Sequence, residues 1–180
     1  MVESLDHNPW EWAVPVVHLF RLKFENRGEL PTTAFFYFKP GSDPLGMTTR
    51  EHEEIMQIDG LDFTTQAATT LTFMMLEDEA FKAGPDMVMI VGEGWDFSED
   101  EEAMQQAKLG EDVQPKVVKS CVYCTIETPS AYYMSTAEVL EDKHGYKTFI
   151  PQSLFKFEEI SNEQLSGRYA RVLPFNKLSH

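Results

Sequence analysis

The sequence predicts one α+β domain over residues 1–180: a mixed sheet with a single β-α-β crossover, followed by a C-terminal antiparallel β meander. Two observations carry that expectation. Residues 54–91 pass from a short strand-like segment through a helix-period segment into an unbroken apolar run. From Val117 onward, short runs rich in Val, Thr, Tyr and Phe alternate with turn residues. The length agrees, since 180 residues build one well-buried core and are short for two. No linker, repeat or low-complexity tract divides them.

Taken in order, Asn8-Pro9 opens a helical turn, with Asn8 as cap and Pro9 in the first helical position. Pro15 is expected to interrupt any helix. His18, Phe20, Leu22 and Phe24 alternate with Leu19, Arg21, Lys23 and Glu25, which reads as a strand of period two. Asn26-Arg27-Gly28 is a turn, Thr32–Phe38 the next strand, and Lys39 to Pro44 a loop. The crossover follows: a strand over 54–58, a helix over 62–83 capped by Asp62, and a strand over 87–91. Phe63, Ala67, Leu71, Met74 and Phe81 share one side of that helix and are expected to face the core. Gly84-Pro85 stops it. Met87–Val91, apolar throughout, reads as a strand covered on both faces and paired in parallel. Residues 93–115 read as a long acidic loop or poorly packed helix, with Gly92-Glu93-Gly94-Trp95 as a turn. The meander strands are 117–127, 132–140, 146–150 and 168–173, with one helical turn over 161–164.

Charge is distributed unevenly. Residues 43–112 hold 18 of the 30 acidic residues and three basic ones, so they account for the whole net charge of −15; the 12 acids and 12 bases elsewhere cancel. A field of that sign disfavours direct nucleic-acid binding, which needs clustered Lys and Arg, and disfavours an anionic membrane surface. It favours cationic partners. The residues before Trp12 lack Lys, Arg and an apolar stretch, so they do not read as a signal peptide. Ala34–Phe38 and Met87–Val91 are the longest apolar runs, far below the roughly 20 residues of a membrane helix. Two cysteines are too few for a disulfide framework. The expected setting is cytoplasmic.

No catalytic, cofactor or metal motif stands out, and no cofactor or metal site is assigned. Cys121 and Cys124 have C-x-x-C spacing, but no second pair completes a tetrahedral zinc site. On a strand, an offset of three sends the two thiols to opposite faces. Asp86 with Glu141 and Lys143 resembles the acid–acid–lysine set of metal-dependent nucleases, but the local field repels DNA. The five histidines are scattered, without H-x-x-x-H spacing.

The reading is therefore a non-enzymatic acidic binding protein that engages a basic protein surface through residues 43–112. One version is a nucleic-acid mimic that occupies the cleft of a DNA- or RNA-binding protein, an inhibitor of the type phage and mobile elements encode. The expected contact residues are Glu93, Trp95, Asp96, Phe97, Glu99, Asp100, Glu101 and Glu102. A second reading is a small metal-assisted or acid–base enzyme using Asp59, Asp62, Glu93 and Asp96 at strand ends. A third is a structural or assembly subunit.

Overall fold

A computed structural model of the chain describes residues 10–42, 49–111, 113–116, 118–161 and 172–173. The elements are α1 (Ala13–Arg27), β1 (Thr33–Phe38), β2 (Gly41–Ser42), β3 (Thr49–Arg50), β4 (Glu54–Ile58), α2 (Gln66–Ala83) and β5 (Met87–Asp96). They continue with α3 (Glu101–Lys108), β6 (Lys119–Glu127), β7 (Tyr132–Glu138), β8 (Leu140–Glu141), β9 (Lys147–Thr148), α4 (Pro151–Leu154) and β10 (Glu158–Glu159). Six strands form one sheet in the order β10-β7-β6-β5-β1-β4, and β2–β3 and β8–β9 are small separate ribbons. The α+β class is as the sequence predicts.

The crossover closes differently from the expected parallel pair. β4 and β5 each run antiparallel to β1, so they are parallel to one another with β1 between them. Every ladder among the described residues is antiparallel. The reason lies in the side chains. β1 is apolar on both faces, with Ala34, Phe35, Phe36 and Phe38 all buried, and such a strand belongs inside a sheet. In β4, Glu54, Ile55 and Gln57 are exposed, which suits an edge.

The alternating segment 18–25 is part of helix α1, not a strand. Read from residue 13, the buried set is Ala13, Val16, Val17, Phe20 and Phe24, at helical spacing, and Leu19 and Leu22 are left exposed. Pro15 does not interrupt this helix. It sits in the first turn, where the backbone N–H has no intrahelical acceptor to lose. Gly28 ends the helix at φ 71°, donating its N–H to the Phe24 carbonyl.

The two sheet faces carry separate cores. Alternate residues Phe35, Met89, Val91, Val122, Cys124 and Ile126 meet α1 on one face. Ala34, Phe36, Phe38, Val88 and Ile90 meet Leu76 and Ala80 of α2 on the other. Phe24 and Phe36 are fully buried, one on each side, and each removal from water contributes about 1.5–3 kcal/mol. Val172 and Leu173 pack in the α2-side core.

Strand β5 runs five residues beyond its expected end at Val91, so Gly92-Glu93-Gly94-Trp95 is strand rather than turn. The glycines make room for a neighbour. A Cβ on Gly92 would lie 2.6 Å from Thr32 Oγ1 and 3.1 Å from the Tyr123 hydroxyl, and one on Gly94 would lie 3.1 Å from the Tyr123 ring. The meander is borne out at β6 and β7. The stretch 146–150 gives only the two-residue β9, whose chain then enters α4 at Pro151. The expected Asn8-Pro9 turn lies outside the described residues, as do 162–164 and, apart from Val172 and Leu173, the expected strand at 168–173. No helix among the described residues is long and apolar enough to cross a membrane.

Candidate interaction surface

The acidic segment is a built structure. Between the end of β5 and β6, Asp100 caps α3: its Oδ1 accepts the Ala103 N–H at 3.1 Å and its Oδ2 the Lys116 N–H at 2.7 Å. Glu101 and Glu102 occupy the first turn, where the helix dipole favours negative charge. Lys108 lies in the last turn, so the eight-residue helix has the charge order its dipole prefers. Of the segment 93–115, expected as a loop or a poorly packed helix, residues 93–96 complete β5 and 101–108 form α3.

Most of the expected contact carboxylates already hold partners within the chain. Glu93 Oε2 accepts the Leu30 N–H at 2.8 Å, fastening the end of β5 to the segment after α1. Asp96 Oδ1 accepts the Ser98 N–H at 2.9 Å. Hydrogen bonds from the Ser98 hydroxyl and N–H hold the Asp96 carboxyl below its ordinary range; burial opposes them, and Lys119 adds to them. Glu99 pairs with Lys119 at 2.8 Å and Glu102 with Lys116 at 3.7 Å, both exposed. Glu101 stands exposed. Trp95 is exposed at 71%, and Phe97 is half-buried.

Helix α2 presents a surface the sequence assigned to the core. Thr65, rather than Asp62, is its cap: the Thr65 hydroxyl accepts the Ala68 N–H at 3.0 Å. Asp62 instead accepts the N–H and hydroxyl of Thr64, which hold its carboxyl below its ordinary range. Thr72, Leu76 and Ala80 are the buried residues. Leu71, Met74 and Phe81 are 66%, 61% and 71% exposed, on the opposite side of the helix. The expected inward stripe therefore faces out, because α2 has two apolar faces and the sheet takes only one. Asp78 lies among these residues and pairs with Lys82 at 2.7 Å. Leu71, Met74, Asp78 and Phe81 follow the three-four-three spacing of a helix seam.

A cleft of about 590 Å³ opens beside α2, over the part of the sheet that α2 does not cover. Its floor is made by alternate residues of β6 and β7, among them Tyr123, Thr125, Tyr132 and Met134. Phe63 and Phe73, in ring contact at 5.4 Å, stand on the α2 side. Trp95, Asp96 and Phe97 line the α3 side. Sequence reasoning missed the floor. The signal was present in β6, where Cys121, Tyr123 and Thr125 alternate with the more apolar Val122, Cys124 and Ile126.

Cys121 and Cys124 are free and buried on opposite faces of β6, as an offset of three on a strand requires. Burial pushes the Cys121 thiol up to about 11, with Asp96 adding to the effect, and burial alone raises Cys124. The carboxylates of the enzyme reading sit in separate local contacts: Asp59 accepts from Gln57 at 2.7 Å, Asp62 from Thr64, Glu93 from Leu30 and Asp96 from Ser98. Asp86 accepts the Lys39 N–H at 2.9 Å, while Glu141 belongs to the β8–β9 ribbon. Among the described residues, no three His, Cys, Asp or Glu side chains gather as a metal site would require. No protein family, curated protein or solved structure is matched by this chain.

Proposed function

We propose that this chain is a non-enzymatic binding protein whose outer α2 face engages a basic, partly apolar segment of a partner protein. The observation that carries the reading is the exposure of Leu71, Met74 and Phe81 along one side of a helix whose other side is already packed on the sheet. A helix apolar all round is ordinarily buried all round. Contiguous exposed apolar side chains on a soluble domain mark interaction sites. The chemistry of the partner follows from charge. Glu77, Asp78 and Glu79 interrupt and flank the stripe, and the surrounding residues 43–112 supply the whole negative charge of the protein. A segment with apolar residues on one side and Lys or Arg beside them complements both features. Nucleic-acid-binding proteins present such basic surfaces, so a partner of that class fits, with carboxylates standing where phosphates would. Two unbridged thiols agree with a reducing, cytoplasmic setting.

The test uses a synthetic amphipathic Leu/Lys helical peptide as probe and a Leu/Glu peptide as control, followed by fluorescence anisotropy. The Leu/Lys peptide binds, weakens as salt rises, and loses at least about tenfold in affinity with Leu71→Ser/Met74→Ser/Phe81→Ser. Equal binding of both peptides, or an unchanged affinity in the triple variant, overturns the proposal. So does a concentration-dependent dimer that the triple variant abolishes, since the face would then belong to a second copy.

A further inference from the structure

The cleft beside α2 has a different character from the outer helix face. Its walls and floor carry the aromatic side chains Phe63, Phe73, Trp95, Phe97, Tyr123 and Tyr132. Among the described residues, Asp96 is the sole charged residue lining it, with no Lys, Arg or His beside it in the lining. Lys119 faces Asp96 across the β5–β6 ladder, but its ammonium is held by Glu99 at 2.8 Å and does not line the cleft. The volume of about 590 Å³ lies in the range of small-molecule sites, about 300–1,000 Å³.

We infer that this cleft binds a small organic cation with an aromatic body, an arylalkyl ammonium, its charge directed to Asp96 and its ring set among the aromatic walls. Three features select that class. Aromatic faces attract cations and stack on flat rings. A carboxylate beside an apolar enclosure favours a cation over a neutral ring and repels an anion. The net charge of −15 raises the local concentration of cations before contact. The floor is held in place: Tyr123 lies close against Gly92 and Gly94, where a Cβ on either would come within 3.1 Å of it, and its hydroxyl donates to Thr32 Oγ1 at 3.5 Å. Asp96 is fixed too, by the Ser98 N–H.

Calorimetric titration with 1-naphthylmethylamine, 1-naphthylmethanol and 1-naphthoate separates charge from shape. The amine is expected to bind at least about tenfold more tightly than the alcohol, and the naphthoate not at all. Asp96→Asn removes the preference for the amine, while Thr136→Trp, which fills the cleft, removes binding of both. Thermal unfolding of each variant shows that it is folded. Absence of amine binding at millimolar concentration overturns the inference, as does equal binding of the alcohol or an amine preference that survives Asp96→Asn. The outer stripe of α2 lies outside this cleft, so the peptide experiment above succeeds or fails independently.

Discussion

Both carboxylate oxygens of Glu127 are taken up by the backbone at Val172 and Leu173. Oε2 accepts the Val172 N–H at 2.7 Å and Oε1 the Leu173 N–H at 2.9 Å, with Glu127 only 2% exposed. A buried carboxylate is costly unless its lone pairs are met, and here it ties the end of β6 to a segment 45 residues further along the chain. Glu127→Gln replaces one accepting oxygen by a donor facing an N–H. The expected loss is about 2 kcal/mol of unfolding free energy, within the range for hydrogen bonds to charged groups. Denaturant unfolding measures it; a change below about 0.5 kcal/mol, the usual effect of an inconsequential surface change, refutes the fastening role.

Gly92 is held to glycine by its neighbours. Its added Cβ would meet Thr32 Oγ1 at 2.6 Å and the Tyr123 hydroxyl at 3.1 Å. Gly92→Ala should therefore cost about 1–3 kcal/mol, as overpacking does. Thr32→Ala removes the closest obstructing atom, so the double variant should be more stable than the sum of the single effects implies. Strict additivity would show that the crowding is absorbed elsewhere.

These two sites mark how far the sequence could be read. The crossover segments, β6 and β7 were legible because their periodicity and turn residues are local properties. The insertion of β1 between β4 and β5 was not, because strand order depends on which apolar faces meet in three dimensions. The helix at 13–27 was misread because Phe20, Leu22 and Phe24 satisfy a period of two when Ala13, Val16 and Val17 are left out of the window. The acidic segment was legible as charge, and its helix only as one of two alternatives. Asp100 as a cap and Glu93 as a tie to Leu30 are roles set by backbone groups that composition does not display. Glu127 gave no signal at all, since nothing in a strand sequence distinguishes a carboxylate destined for the interior.

The thiols provide a pH test. Burial holds Cys121 at about 11 and raises Cys124 further in the same direction. Only the thiolate reacts, so the native protein should resist an aromatic disulfide reagent at pH 8 and react fully once unfolded. The linkage has a definite sign. An acid whose folded value is raised keeps its proton while the unfolded chain loses it, so stability is unaffected below the ordinary thiol value near 9 and falls as pH rises from there towards 11. Replacing both cysteines by Ala should flatten that decline. A slope equally steep in the double variant would assign it to other groups.

The two faces of α2 give the sharpest contrast, because sequence periodicity and structure rank them oppositely. Leu76 is fully buried against the sheet, and Leu71, five residues earlier, is 66% exposed. Leu76→Ala should cost about 2–5 kcal/mol by loss of burial and creation of a cavity. Leu71→Ala should change stability by no more than about 0.5 kcal/mol, as surface substitutions do. The same holds for Met74→Ala. Stability would then not account for large apolar side chains at these positions, which is what the proposed docking role requires. If Leu71→Ala and Met74→Ala instead destabilise the isolated protein as strongly as Leu76→Ala, the stripe packs within the fold in solution, and the docking surface loses its basis.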